Sequence, residues 1–171
     1  IKGLLSDLYY CNIVKKRVYW RLQDSKHRLK MHLRQRINRR SLVTKSYFNK
    51  YAIDSVDDRE RYNIFFLQFE PESTTLPKAG IYCCQLLTIK MLAEASQQMG
   101  IKLYVKEHWW QDYRTKDFYN ALRRIPNVYF VNSELDNYLL IDKSISVASQ
   151  TGSCILEAFL RGKPSIMFAY N

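Results

Sequence analysis

The stretch Ser144-Ile-Ser-Val-Ala-Ser-Gln-Thr-Gly-Ser-Cys-Ile-Leu-Glu-Ala-Phe-Leu-Arg-Gly-Lys-Pro-Ser-Ile-Met-Phe168 decides the fold. A short apolar run ends at Ala148, and a small polar turn follows at Ser149–Ser153. The next segment is apolar with a single acid, Glu157, and Gly162-Lys163-Pro164 stops it before a second apolar run. Strand, helix and strand at this spacing make a βαβ unit, whose crossover requires parallel strands.

Read upstream from there, the same alternation extends to residue 63. Asn63–Phe69, Ile101–Lys106, Asn127–Val131, Ser144–Ala148 and Ser165–Phe168 read as strands, the first as a run buried on both faces. Helices are expected between them at Ile81–Met99, closed by Gly100, and at Asp112–Arg124, Ser133–Ile141 and Gly152–Arg161. The fold class is therefore α/β, a Rossmann-like parallel sheet with helices on both faces. Ligands of such sheets bind in the crevice beyond the carboxyl ends of the strands, so the loops of interest are 69–80, 107–112, 132–134 and 149–152.

The texture before residue 63 differs. The chain of 171 residues has a net charge of +11, and residues 1–62 hold 16 Lys and Arg against 6 Asp and Glu, while the remainder holds 11 against 10. Residues 13–42 lack Gly and Pro and set Val18, Leu22, Leu29, Leu33 and Ile37 at helical spacings, a basic amphipathic helix or helix pair. A short helix over Thr44–Tyr51 and an acidic turn at Asp54–Glu60 are expected after it. The domain reading is a basic helical linker at 1–62 and a Rossmann-like domain at 63–171.

No run approaches the roughly 18 apolar residues of a membrane span, and no signal peptide is evident. The chain opens Ile1-Lys2-Gly3 and stops at Tyr170-Asn171 after a strand-like run, as expected of a fragment truncated at both ends of a longer protein. Cys11, Cys83, Cys84 and Cys154 show no CxxC spacing and read as reduced structural thiols, which points to the cytoplasm. No spacing resembles a metal site, and no cofactor is implied.

Three of the loops hold chemistry-bearing residues. Gln68-Phe-Glu-Pro-Glu-Ser-Thr-Thr-Leu-Pro77 brings Gln68, Glu70, Glu72 and Thr74 into a possible substrate loop. Lys106-Glu107-His108-Trp109-Trp110 combines a cation, an acid, an imidazole and two indoles. At Ser149-Gln-Thr-Gly-Ser153, a cap at Thr151 or Gly152 would expose unpartnered helix N–H groups to an anion, with Gly152 admitting a phosphate close to the backbone. Glu157 is spaced to accept from a ribose diol. Each feature has a plain structural counterpart: the turn as simple capping, the His and indoles as packing, the loop acids as a solvated surface.

Taken together, Phe66-Leu67-Gln68, Glu70-Pro71-Glu72, Thr74-Thr75-Leu76-Pro77, Gln85, Leu103–His108, Thr151-Gly152-Ser153, Leu156–Phe159 and Gly162-Lys163-Pro164 resemble the capsule polysaccharide biosynthesis family. These are bacterial GT-B type glycosyltransferases that include Kdo transferases. The resemblance spans roughly residues 60–171. It implies the C-terminal, donor-binding half of a two-Rossmann enzyme using a nucleotide-sugar, typically a CMP-sugar, in surface polysaccharide biosynthesis and export. It also implies a catalytic role for His108 at the donor phosphate. Lys106, Glu107, Ser149, Thr151, Gly152, Ser153 and Glu157 are then expected around phosphate, nucleoside and ribose. The catalytic base is expected in a preceding Rossmann half, so this part alone is not expected to turn over. Where the family has Pro after the His, this chain has Trp109.

Two other functions fit the same residues. One is a polyol-phosphate transferase half using CDP-glycerol. The other is a non-catalytic module that binds anions or a membrane face through the cluster Arg34, Arg36, Arg39 and Arg40. The near-neutral βαβ half lacks an aromatic RNA-binding signature, which argues against nucleic acid. Expected partners are a nucleotide-sugar, a glycan or lipid-linked acceptor, and an inner-membrane surface contacted peripherally by the basic helices.

Overall fold

The structure, a computed structural model, describes residues 45–69, 79–109 and 114–169. The basic helix over 13–42, its Arg cluster and the loop residues Glu70, Glu72 and Thr74 lie outside the described residues. Among those described, six strands form one all-parallel sheet: β1 (Ala52–Ile53), β2 (Tyr62–Phe66), β3 (Lys102–Lys106), β4 (Val128–Val131), β5 (Ser146–Ser149) and β6 (Ser165–Met167). Five α-helices accompany them: α1 (Lys45–Asn49), α2 (Gln85–Gln98), α3 (Lys116–Arg123), α4 (Asn137–Lys143) and α5 (Cys154–Leu160). The strand order is β1-β4-β3-β2-β5-β6, and every pairing is parallel.

Alternation along each strand sends side chains to two cores. On one face Phe65, Leu103, Val105 and Ala148 meet Phe48 of α1, Ile89 and Ala93 of α2, and Tyr119 and Leu122 of α3. On the other, Tyr62, Ile64, Tyr104 and Val147 meet Leu140 and Ile141 of α4 and Ala158 of α5. Burial on both sides explains why the strands read as continuous apolar runs. Truncating a fully buried residue such as Ile89 to Ala would cost about 2–5 kcal/mol.

Two helix starts follow side-chain caps rather than the apolar pattern. Asp112–Arg124 was expected as one helix, but Thr115 caps it, its Oγ1 accepting from the Phe118 amide at 3.3 Å, and α3 starts at Lys116. Asp136 likewise caps α4, accepting from the Tyr138 and Leu139 amides, so that helix starts four residues later than its apolar residues suggest. Gly100 ends α2 with φ +68°, a conformation in which other residues are strained.

Residues 45–61, read from composition as part of the basic linker, join the α/β body. Phe48 is fully buried and stacks on Phe130 at 4.4 Å, and β1 extends the sheet by pairing Ala52 and Ile53 with Phe130 and Val131. A two-residue strand is too short to show a period, which is why the sequence does not announce it.

Candidate functional site

The strand order reverses at β2. From there the chain moves outward through β3 to β4, then returns to the other side of β2 for β5 and β6. The helices that follow β2 and β5, α2 and α5, accordingly pack on opposite faces, which opens the crevice characteristic of such sheets. A cleft of about 530 Å³ lies there, at the carboxyl ends of β2, β3, β4 and β5. Its walls include Gln68, His108, Asn137, Tyr138, Ser153 and Glu157.

His108 lines the cleft and is half-buried, with its ring 5.9 Å from the rings of both Phe69 and Trp109. Its backbone N–H donates to Glu107 Oε1 at 2.7 Å. Trp109 stays 67 % exposed, so the indole is a rim group rather than a core one.

The two residues before His108 are both buried and point to opposite faces. The Lys106 ammonium donates to the Leu135 carbonyl and to Asn137 Oδ1, tying β3 to the loop that starts α4. Glu107 turns the other way, where it pairs with Arg114 and accepts from the Tyr119 hydroxyl at 2.6 Å. Burial pushes the Glu107 carboxyl above its ordinary value, and Arg114, Tyr119 and the His108 amide pull it back. Burial and then the neighbouring Glu107 carboxylate likewise raise the Tyr119 phenol, which stays protonated and donates. Arg114 and Tyr119 carry no sequence signal of this role.

The turn after β5 divides in two. Gly152, Ser153 and Glu157 line the cleft, whereas Ser149 and Thr151 are buried away from its lining. Ser149 Oγ accepts from Gln68 Nε2 at 2.6 Å and donates to the Phe66 carbonyl at 3.0 Å, fastening β5 to β2. The cap of α5 falls on Ser153, not on Thr151 or Gly152, and no side-chain oxygen caps the helix. The Ser153 hydroxyl donates instead to Glu157 Oε1 at 3.0 Å, forming a polar pair on the cleft wall.

Gly152 is required for close packing. A Cβ there would stand 2.3 Å from Gln68 Nε2, 3.0 Å from Gln68 Cδ and 3.1 Å from Cys154 Sγ. The group that approaches this backbone is a carboxamide from the β2 loop, where the sequence suggested a phosphate. Beneath it the Cys154 thiol is buried and pushed up to about 12, with the Glu157 carboxylate adding to the effect and a Ser149 hydrogen bond opposing it. Among the described residues, Cys83, Cys84 and Cys154 are free thiols, and no cluster of three or more His, Cys, Asp or Glu is placed to hold a metal. Nor is any described helix long and apolar enough to cross a membrane.

No family model matches this chain, and no curated protein matches it. Among solved structures it is similar to KpsC, the beta Kdo 2,7 transferase of Thermosulfurimonas dismutans, with a TM-score of 0.51 at 15% identity over 74% of this chain and 38% of that one. A UDP-GlcNAc 2-epimerase of Methanocaldococcus jannaschii, in complex with UDP-GlcNAc and UDP, matches with a TM-score of 0.46 at 14% identity over 72% of this chain and 32% of that one. The UDP-GlcNAc 2-epimerase of Neisseria meningitidis, bound to UDP-GlcNAc, matches with a TM-score of 0.43 at 20% identity over 66% and 29%. The chain thus spans less than two fifths of the length of each. The fold is the GT-B-like, Rossmann-type fold read from the sequence.

Proposed function

We propose that this chain is the donor-binding half of a glycosyltransferase of capsule or surface polysaccharide biosynthesis, and that its donor is a CMP-sugar. The observation that carries this reading is the cleft at the β2/β5 crevice, with His108 on one wall and Gly152, Ser153 and Glu157 on another. The charge of the described lining favours a donor with a single phosphate. Its Lys106 is spent on the Leu135 carbonyl and Asn137, and Asp136 and Glu157 add negative charge. A diphosphate would meet less compensation there.

In the reaction, the bond from the sugar to the phosphate oxygen breaks and negative charge grows on the departing nucleoside monophosphate. His108 donates a hydrogen bond to that charge, and preorganised donors of this kind act without reorganising as the reaction proceeds. The Ser153–Glu157 pair receives the ribose hydroxyls. The acceptor hydroxyl is deprotonated by a base on a preceding Rossmann half. The basic segment 13–42 touches the anionic inner-membrane face where a lipid-linked acceptor is presented.

The test is a calorimetric titration of the chain with CMP, CDP-glycerol and UDP. Binding of CMP that is weakened in Ser153→Ala supports the reading. Preference for CDP-glycerol transfers the assignment to polyol-phosphate chemistry, and failure of all three to bind removes it.

A further inference from the structure

Three buried side chains under the cleft carry more polarity than a helix-on-sheet contact needs. Glu107 and Arg114 have side chains 0% and 2% exposed. One Glu107 oxygen accepts from the His108 amide and from Arg114 Nη1, the other from Tyr119. Arg114 Nη2 continues to the Gln68 carbonyl, which also accepts from Gln85 Nε2 at 3.0 Å. Gln68 then passes the chain to Ser149. The exits of β2, β3 and β5 are in this way joined by one continuous polar network.

Stability does not account for such a device. Desolvating both charges offsets most of their attraction, and apolar residues of similar volume in their place are often as stable or more so. Among the described residues Arg114 Nε is also buried with no hydrogen-bond partner, a further cost. A network of this kind does supply definite geometry, because a polar cluster in a low-dielectric interior has few alternative placements that leave it satisfied. The backbone it holds is that of His108, whose side chain lines the cleft.

We propose that Glu107, Arg114 and Tyr119 are positioning residues, a buried clamp that sets the His108 backbone against the Gln68–Ser149 floor so that the imidazole meets the donor phosphate. The last clause rests on the donor-binding reading above, while the clamp itself does not. The deciding variant is the paired exchange Glu107→Leu with Arg114→Met in the 171-residue chain, which removes the amide's acceptor without stranding a charge.

Its unfolding midpoint is expected to fall only slightly, because the exchange strands the buried Tyr119 hydroxyl but no charge. The His108 imidazole resonances should shift in NMR spectra, and affinity for CMP should fall. Tyr119→Phe, which deletes a single hydroxyl, should move the same resonances less, and it decides the matter if the paired variant does not fold. His108 resonances unmoved in whichever variant folds would overturn the clamp and leave the three residues purely structural. If CMP fails to bind even the parent chain, the resonances still decide the clamp, and the donor reading alone falls.

Discussion

The chain leaves β3 and β5 into the same cleft, yet the two exits are fastened by different chemistry. After β3 the fastening uses charged groups: the Lys106 ammonium donates to neutral oxygens of one loop, and Glu107 forms an ion pair with Arg114. After β5 it is neutral, built from the Ser149 hydroxyl, the Gln68 carboxamide and the absence of a side chain at Gly152. A residue that advertises affinity for phosphate in a sequence is thus as readily spent on the scaffold. The two kinds of fastening also fail differently, because a half-removed ion pair strands a charge whereas a half-removed neutral contact strands only a dipole.

The sharpest way to break this contrast is Glu107→Leu alone. With Arg114 left buried and uncompensated, stability should fall by about 3–5 kcal/mol in denaturant unfolding. A loss no larger than that of Ser149→Ala would erase the distinction between the exits. His108→Ala comes next and separates fastening from function. On the donor-binding reading proposed above, transfer by the full-length protein is expected to drop about 100- to 1000-fold in kcat, the effect of removing one preorganised donor, with the unfolding midpoint nearly unchanged.

Gly152→Ala probes the neutral exit. The new methyl must expel the Gln68 carboxamide from its contact with Ser149, at a cost of about 1–3 kcal/mol. Gln68→Ala in the same chain should recover part of that loss, and a double-mutant cycle measures the coupling. The smallest effect is kinetic. Because burial pushes the Cys154 thiol up to about 12, it stays protonated at pH 8, and among the described cysteines iodoacetamide should label exposed Cys84 first and Cys154 last, as mass spectrometry would show. Rapid labelling of Cys154 would mean that the β5 exit opens readily.

Much of this architecture was legible beforehand. Runs such as Asn63–Phe69 are buried on both faces, and a two-sided core leaves a continuous apolar trace that periodicity detects. The ends of the elements were less legible, because Thr115 and Asp136 cap helices through hydrogen bonds that apolar patterning does not record. In the cleft, sequence reading brought His108, Gly152, Ser153 and Glu157 to one sheet edge, and the structure lines one cavity with them. It set Lys106, Glu107 and Ser149 beside them as ligand groups; Lys106 and Glu107 also line that cavity, and all three hold protein partners. Arg114 was invisible, since nothing local marks it as the partner of an acid seven residues earlier and a carbonyl 46 residues earlier.

By itself, then, the sequence determined the alternation of strands and helices, the parallel sheet and the edge on which its loops gather, because those follow from local period and short connections. Only the tertiary structure decided which polar side chains face the cleft and which are consumed beneath it. Hydrogen bonds and ion pairs depend on distances between atoms far apart in the chain, and at the crevice those distances are set by strand order. The Gln68 amide reaches Gly152 only because β2 lies beside β5.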